Sequence, residues 1–147
     1  MSEQYNHVAQ MWETTEQRWD DAGEKIVTTV TATRPATAQE IAHYDCERTS
    51  SEQSNASDPL SNGADWARQT LTNLSSAVDA TQRLLKAYSS FDLEAGCLPG
   101  LAAQLETASE RAISALETLE TRRATYHAAT ERYTAALARK REVANDT

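Results

Sequence analysis

Few residues in this chain are of types that do chemistry, and one pair among them has a suggestive spacing. Arg122 and His127 stand five positions apart in the run Arg122-Arg123-Ala124-Thr125-Tyr126-His127. An imidazole can act as a general acid or base, and a guanidinium can stabilise a phosphate. The chain holds 11 Arg and 3 His, enough for one such match to arise by chance. The pair would also sit in the middle of a long helix with no evident cleft, where solvated surface residues are the simpler reading. His7 and His43 have no His or Cys partner ligand three or four residues on, apart from Cys46 after His43. One His–Cys pair is not a metal site. Cys46 and Cys97 lie far apart without CxxC spacing, and zinc would need more ligands than these scattered residues provide. Both read as reduced thiols. There is no Gly-rich phosphate loop, no defensible Ser-His-Asp order and no paired carboxylates in an apolar setting. The expectation is a non-enzyme with no cofactor and no metal.

Composition narrows the class further. The chain has 147 residues, 39% hydrophobic, with 4 Gly and 3 Pro. That length suits one domain or one elongated unit. So little Gly and Pro leaves little turn chemistry for a sheet protein. The shortage of bulky apolar residues implies a thin core, completed by other chains. Net charge is −8 and unevenly spread: residues 1–60 carry 11 acids against 4 bases, whereas residues 98–147 hold 7 of each. Nucleic-acid binders need excess cation to displace counterions, so no nucleic-acid partner is expected. The acidic half reads as solvated surface, or as a face for a basic partner. The start MSEQYNHVAQMWE has neither a basic region nor an apolar core, so it does not read as a signal peptide. No apolar run approaches the roughly 18 residues of a membrane span. A cytoplasmic location follows, with any membrane association indirect.

The elements that must position these residues are read as helices. Tyr5, Val8, Trp12, Thr15, Trp19, Ala22, Ile26 and Thr29 follow 3-4 spacing, which predicts a first helix over about 3–33 with Trp12 and Trp19 on one packing stripe. The β-branched run Ile26–Thr33 weakens it, and a break is expected at Arg34–Pro35. A short second helix starts after Pro35, where Thr37 and Glu40 form a capping box and Ile41 and Tyr44 an apolar face. Residues 49–59 read as a flexible polar linker.

A third helix carries the stripe Ala67, Leu71, Leu74, Val78, Thr81, Leu85 and Tyr88, ending in a break over 89–99. The fourth runs from Leu98 or Leu101 to about Val143. Its expected seam is Leu98, Leu101, Leu105, Ala108, Ala112, Leu116, Leu119, Arg123, Tyr126, Thr130, Tyr133 and Leu137, about six heptads. At 1.5 Å per residue it spans roughly 65 Å, against roughly 38 Å for the third helix. The end of this rod would then need a further partner. The fold expected is all-α: an elongated helical hairpin or coiled-coil bundle with a long C-terminal helix. The domains are an acidic helical region (1–48), the linker (49–59) and the hairpin (60–147). The candidate interface is Trp12, Trp19, Leu71, Leu74, Val78, Leu85, Leu105, Leu116, Leu119, Tyr126, Tyr133 and Leu137.

Two resemblances to known families attach to these residues. The Arg122–His127 spacing resembles the arginine–four-to-six–histidine element of HEPN helical ribonucleases. The C-terminal rod resembles subunit 2 of the biogenesis of lysosome-related organelles complex 1, which is shared with the BORC lysosome-positioning complex. That likeness runs from Leu98-Pro99-Gly100-Leu101 through Ile113-Ser114-Ala115-Leu116-Glu117, Tyr126 and Glu131 to Leu137 and the basic close Arg139-Lys140-Arg141. Upstream, Val30-Thr31-Ala32-Thr33 and Tyr44 are similar to a Thr-Ala-Thr stretch of that family. The acidic, Trp-bearing first segment and the insertion SSEQSNASDPLSNG depart from its pattern. The resemblance implies a non-enzymatic subunit of a hetero-oligomer of helical coiled-coil proteins. It implies a role in endosome–lysosome trafficking and organelle positioning. The alternative function is a homodimeric acidic helical chaperone or adaptor.

Overall fold

The computed structural model describes residues 1–89, 91–93 and 96–146. Three strands come first: β1 (Ser2–Asn6), β2 (Met11–Trp19) and β3 (Ile26–Pro35). Two long helices follow, α1 (Ala38–Ala87) and α2 (Cys97–Asn145). The strands form one antiparallel sheet in the order β1-β2-β3. The fold is therefore α+β, which corrects the all-α expectation.

The expected first helix is this sheet, and local chemistry explains why. Its two turns are each organised by one side chain. Asn6 Oδ1 accepts from the amides of Val8 and Ala9, both at 3.0 Å, and Gln10 turns back through a φ of 53°. Asp20 Oδ1 accepts from the amide of Glu24 at 2.7 Å, and Gly23 takes the left-handed φ of 69° that a side chain disfavours. After the second turn, Ile26-Val27-Thr28-Thr29-Val30-Thr31 is a β-branched run whose side chains suit a pleated surface. One extra residue, Thr31, bulges β3 where the register shifts between Thr14 and Thr15. Helical 3-4 spacing had placed Trp12 and Trp19 on one face. Seven positions apart on a strand, they point to opposite faces.

α1 begins as expected. The Thr37 hydroxyl accepts from the Glu40 amide at 3.2 Å, and Glu40 Oε2 accepts from the Thr37 amide at 2.9 Å. This reciprocal capping box satisfies two otherwise orphaned donors. α1 then continues through 49–59, the stretch read as a linker, and through Pro59. It reaches 50 residues against 49 for α2, so the length mismatch expected of a long C-terminal rod does not arise. Of the expected 89–99 break, Ser90, Glu94 and Ala95 lie outside the described residues, as does Thr147 of the expected hairpin domain. Asp92 closes the described part of the turn by accepting from the Ser89 amide and hydroxyl.

The chain divides into two compact units, residues 1–52 with 130–147, and residues 53–129. In the first, the sheet rests on the start of α1, which runs antiparallel to the end of α2. Glu52 meets Arg132 at 3.5 Å, Asp45 meets Arg139 at 3.6 Å, and His43 meets Lys140 at 3.2 Å. In the second, the rest of α1 runs antiparallel to the rest of α2. Arg122 reaches the Pro59 carbonyl at 2.9 Å, and Leu84 and Tyr88 share a cavity with Cys97.

Within both units small side chains line the line of contact. Ala42, Cys46, Thr49 and Ala136 are buried in the first unit. Ala67, Thr70, Ala112 and Ala115 are buried in the second. Buried Thr behaves here as a small residue because its hydroxyl is satisfied by its own helix. Thr49 donates to the Asp45 carbonyl at 2.7 Å and Thr70 to the Ala67 carbonyl at 3.0 Å. No large side chain is fully buried among the described residues.

Candidate functional site

Two regions collect side chains of functional interest, one in each unit. In the first unit an aromatic and ionic cluster joins the sheet to α1. Tyr5 stacks on Tyr44 with ring centroids 4.8 Å apart, and Trp12 meets Tyr44 edge-on at 5.4 Å. Arg34 lies over the Trp12 ring at 5.0 Å and forks onto Glu40, with contacts of 3.1 and 3.3 Å. The same guanidinium reaches Glu3 at 3.5 Å, so it ties β1, β2 and α1 to its own strand. The Glu40 carboxyl consequently sits well below its ordinary value of 4.5, at about 2, through hydrogen bonds from Arg34 first and Thr37 second. Burial, then the charges of Asp45 and Glu40, push the Tyr5 phenol up.

Beside this cluster lies a cavity of about 400 Å³ lined by Tyr5, His7, Val8, Gln10, Ile41, Asp45, Arg48 and Arg139. Its volume is in the range of small-molecule sites. Its charges are already neutralised internally. Asp45 pairs with Arg48 at 2.6 Å and with Arg139 at 3.6 Å, and Arg48 also pairs with Glu52 at 2.7 Å. A ligand entering here would have to break these pairs.

The second region is an outward face of the helices in residues 53–129. Burial follows a heptad on each helix: Leu60, Gly63, Ala67, Thr70, Leu74, Ala77, Thr81 and Leu84 on α1, facing Leu101, Leu105, Ala108, Ala112, Ala115, Leu119, Arg122 and Tyr126 on α2. Of the expected interface, Leu74, Leu105, Leu119 and Tyr126 lie on this inward stripe. Leu71, Val78, Leu85 and Leu116 do not. Leu71 is 43% exposed beside Thr70 at 6%, and Leu116 is 45% exposed beside Ala115 at 0%. The physical reason is closeness. Ala, Gly and Thr let two helices approach, and the bulkier neighbours one position on are left outside.

In an antiparallel pair, residues one step past the seam on both helices flank the same side. Leu71, Val78, Leu85 and Leu116 therefore share one side, with exposed Ile113 next to Leu116 at the adjacent turn. The opposite side is mostly polar but carries Trp66, which is 40% exposed. It holds a cavity of about 380 Å³ lined by Asn73, Gln104, Arg111 and neighbours. Five exposed Leu, Val and Ile side chains concentrated on one side of a helix pair is the pattern of an interaction surface.

In the first unit, Tyr133 is on the inward stripe of α2, and Leu137 stands half-buried one position past Ala136. Trp12 is half-buried in the aromatic cluster. Trp19 lies at the far end of β2, paired with Ile26 and 64% exposed. Sequence reasoning set Tyr5, Ala67, Thr81, Ala108 and Ala112 on its stripes but missed the role of Arg34 and the small seam residues Gly63, Thr70 and Ala115. Of these, Thr70 was visible in the 3-4 spacing of Ala67, Thr70, Leu74, Ala77, Thr81 and Leu84, had small residues been weighed as highly as large ones.

Arg122 and His127 do not converge. Five residues on a helix turn through about 140° beyond one revolution. Arg122 lies across Gly63 on the Pro59 carbonyl, whereas His127 is exposed. No cluster of three or more His, Cys, Asp or Glu that could hold a metal occurs among the described residues. Cys46 and Cys97 are free thiols. No helix among the described residues is long and apolar enough to cross a membrane.

No protein-family model matches the chain, and neither does any curated protein or solved structure with which it was compared.

Proposed function

We propose that this chain is a non-enzymatic helical interaction subunit, which docks helices of another polypeptide chain onto the apolar side of residues 53–129. The observation that carries this reading is the exposure of Leu71, Val78, Leu85, Ile113 and Leu116 together on one side of the helix pair. Burying a Leu or Val fully contributes about 1.5–3 kcal/mol. These five are already half-covered, so each would contribute about half of that, still several kcal/mol together. The setting implied by the resemblance, a trafficking assembly that works at lysosomal or endosomal membranes, is part of the proposal.

The test is affinity purification of the native protein, with identification of the chains that come with it. A Leu71→Glu/Leu116→Glu variant serves as control. Helical chains recovered with the wild type and lost with the variant support the reading. Equal recovery with both would place any partner elsewhere and overturn it.

A further inference from the structure

The apolar side of residues 53–129 is self-complementary, and we infer that its occupant is a second copy of this chain, forming a four-helix bundle around a two-fold axis parallel to the helices. This rests on the interaction-subunit reading and names the partner. The levels of the residues along the pair follow from observed neighbours. Gly63 lies beside Leu119 and Arg122, and Thr70 and Asn73 share a cavity with Ala108 and Arg111. Level positions on the two helices therefore sum to about 182. A two-fold along the helices keeps each residue at its own level and lays α1 of one copy over α2 of the other. Leu71 then faces Ile113 of the second copy, Leu85 faces its exposed Leu98, and Val78 faces the small Ala102. Large meets large at both ends, and large meets small between them. That is how packed layers interdigitate.

Charge favours the same arrangement. The α1 edge of this side carries Arg68, Ser75 and Gln82 and no acid, whereas the α2 edge carries Glu106 and Glu120, with Arg123 beyond them at its C-terminal end. Stacking α1 over the second copy's α2 sets Glu106 opposite Ser75 and Gln82, and Glu120 toward Arg68. The other two-fold, centred on the same patch, stacks like helix on like and brings Glu106 close to its own copy, where the charges repel. Area is also sufficient. About 20 residues of each helix span about 30 Å, and two helices side by side are about 20 Å wide. Two copies would together bury about 1,200 Å², at the lower bound for a specific interface.

Sedimentation equilibrium of the full-length chain, with Cys46 and Cys97 changed to Ser, tests this directly. The expected mass is twice 16.2 kDa. Leu71→Glu with Leu116→Glu should weaken the dimer by 100-fold or more. Geometry is read separately with a short bis-maleimide. A Leu71→Cys chain mixed with a differently tagged Ile113→Cys chain should form the mixed cross-link, and failure of that pair to cross-link in the dimer would overturn the proposed axis. A mass of 16.2 kDa at all concentrations would overturn the dimer itself. If other helical chains still co-purified in a manner sensitive to Leu71→Glu, the interaction-subunit reading would survive that result.

Discussion

Arg122 donates to the carbonyl of Pro59 at 2.9 Å by lying across Gly63, where any added Cβ would stand 3.0 Å from its Cδ. Proline inside α1 removes one backbone donor, and glycine four residues on leaves room for a long side chain from α2 to cross. The missing side chain at Gly63 thus opens the place where α2's arginine docks.

An energetic coupling between positions 63 and 122 follows. Gly→Ala in a helix interior ordinarily gains about 1 kcal/mol. Here Gly63→Ala should gain clearly less, because Arg122 must give way. In an Arg122→Ala background the gain should return to about 1 kcal/mol. A double-mutant cycle by urea unfolding measures this, and identical effects in both backgrounds would contradict the contact.

The two N-terminal tryptophans should differ sharply. Trp12 packs on Tyr5 and Tyr44 beneath Arg34, so Trp12→Ala should destabilise by about 2 kcal/mol, less than a fully buried Trp would. Trp19 is exposed on the other face, and Trp19→Ala should fall within about 0.5 kcal/mol of wild type. Comparable losses at both positions would restore the single-stripe helix in place of the sheet.

Glu40 should titrate low. Its folded value of about 2 lies below its ordinary 4.5, so the stability that it contributes is present above about pH 4.5. That contribution is lost as pH falls through the folded value, because protonation then removes the acceptor that Arg34 and the Thr37 amide use. NMR titration of the Glu40 side chain should show the depressed midpoint in the wild type and a rise toward 4.5 in Arg34→Gln. An unchanged midpoint in that variant would assign the depression to the helix cap alone.

How far the sequence could be read depended on which side chains hold each element. The capping box at Thr37 and Glu40 and the uninterrupted α2 follow local rules, and both are present. The sheet was hidden because Tyr5, Trp12 and Trp19 satisfy a helical period by coincidence, although the β-branched run and the Asp20–Gly23 turn argued for strands. Residues 49–59 looked unstructured because Thr49, Gln53 and Ala56 supply little apolar surface. On a close-packed seam that smallness is what lets the helix continue. The same preference for large residues placed Leu71, Val78, Leu85 and Leu116 inside the helix pair, when they form its outer side.

Hydroxyl-radical footprinting of the assembled protein, set against the same chain dissociated by dilution, bears most directly on that outer side. Leu71, Val78, Leu85 and Leu116 should be oxidised several-fold more slowly in the assembly, while Trp19 on the sheet reacts equally in both states. Equal reactivity of the four helix residues before and after dissociation would show that nothing covers them, and would contradict the docking role assigned to residues 53–129.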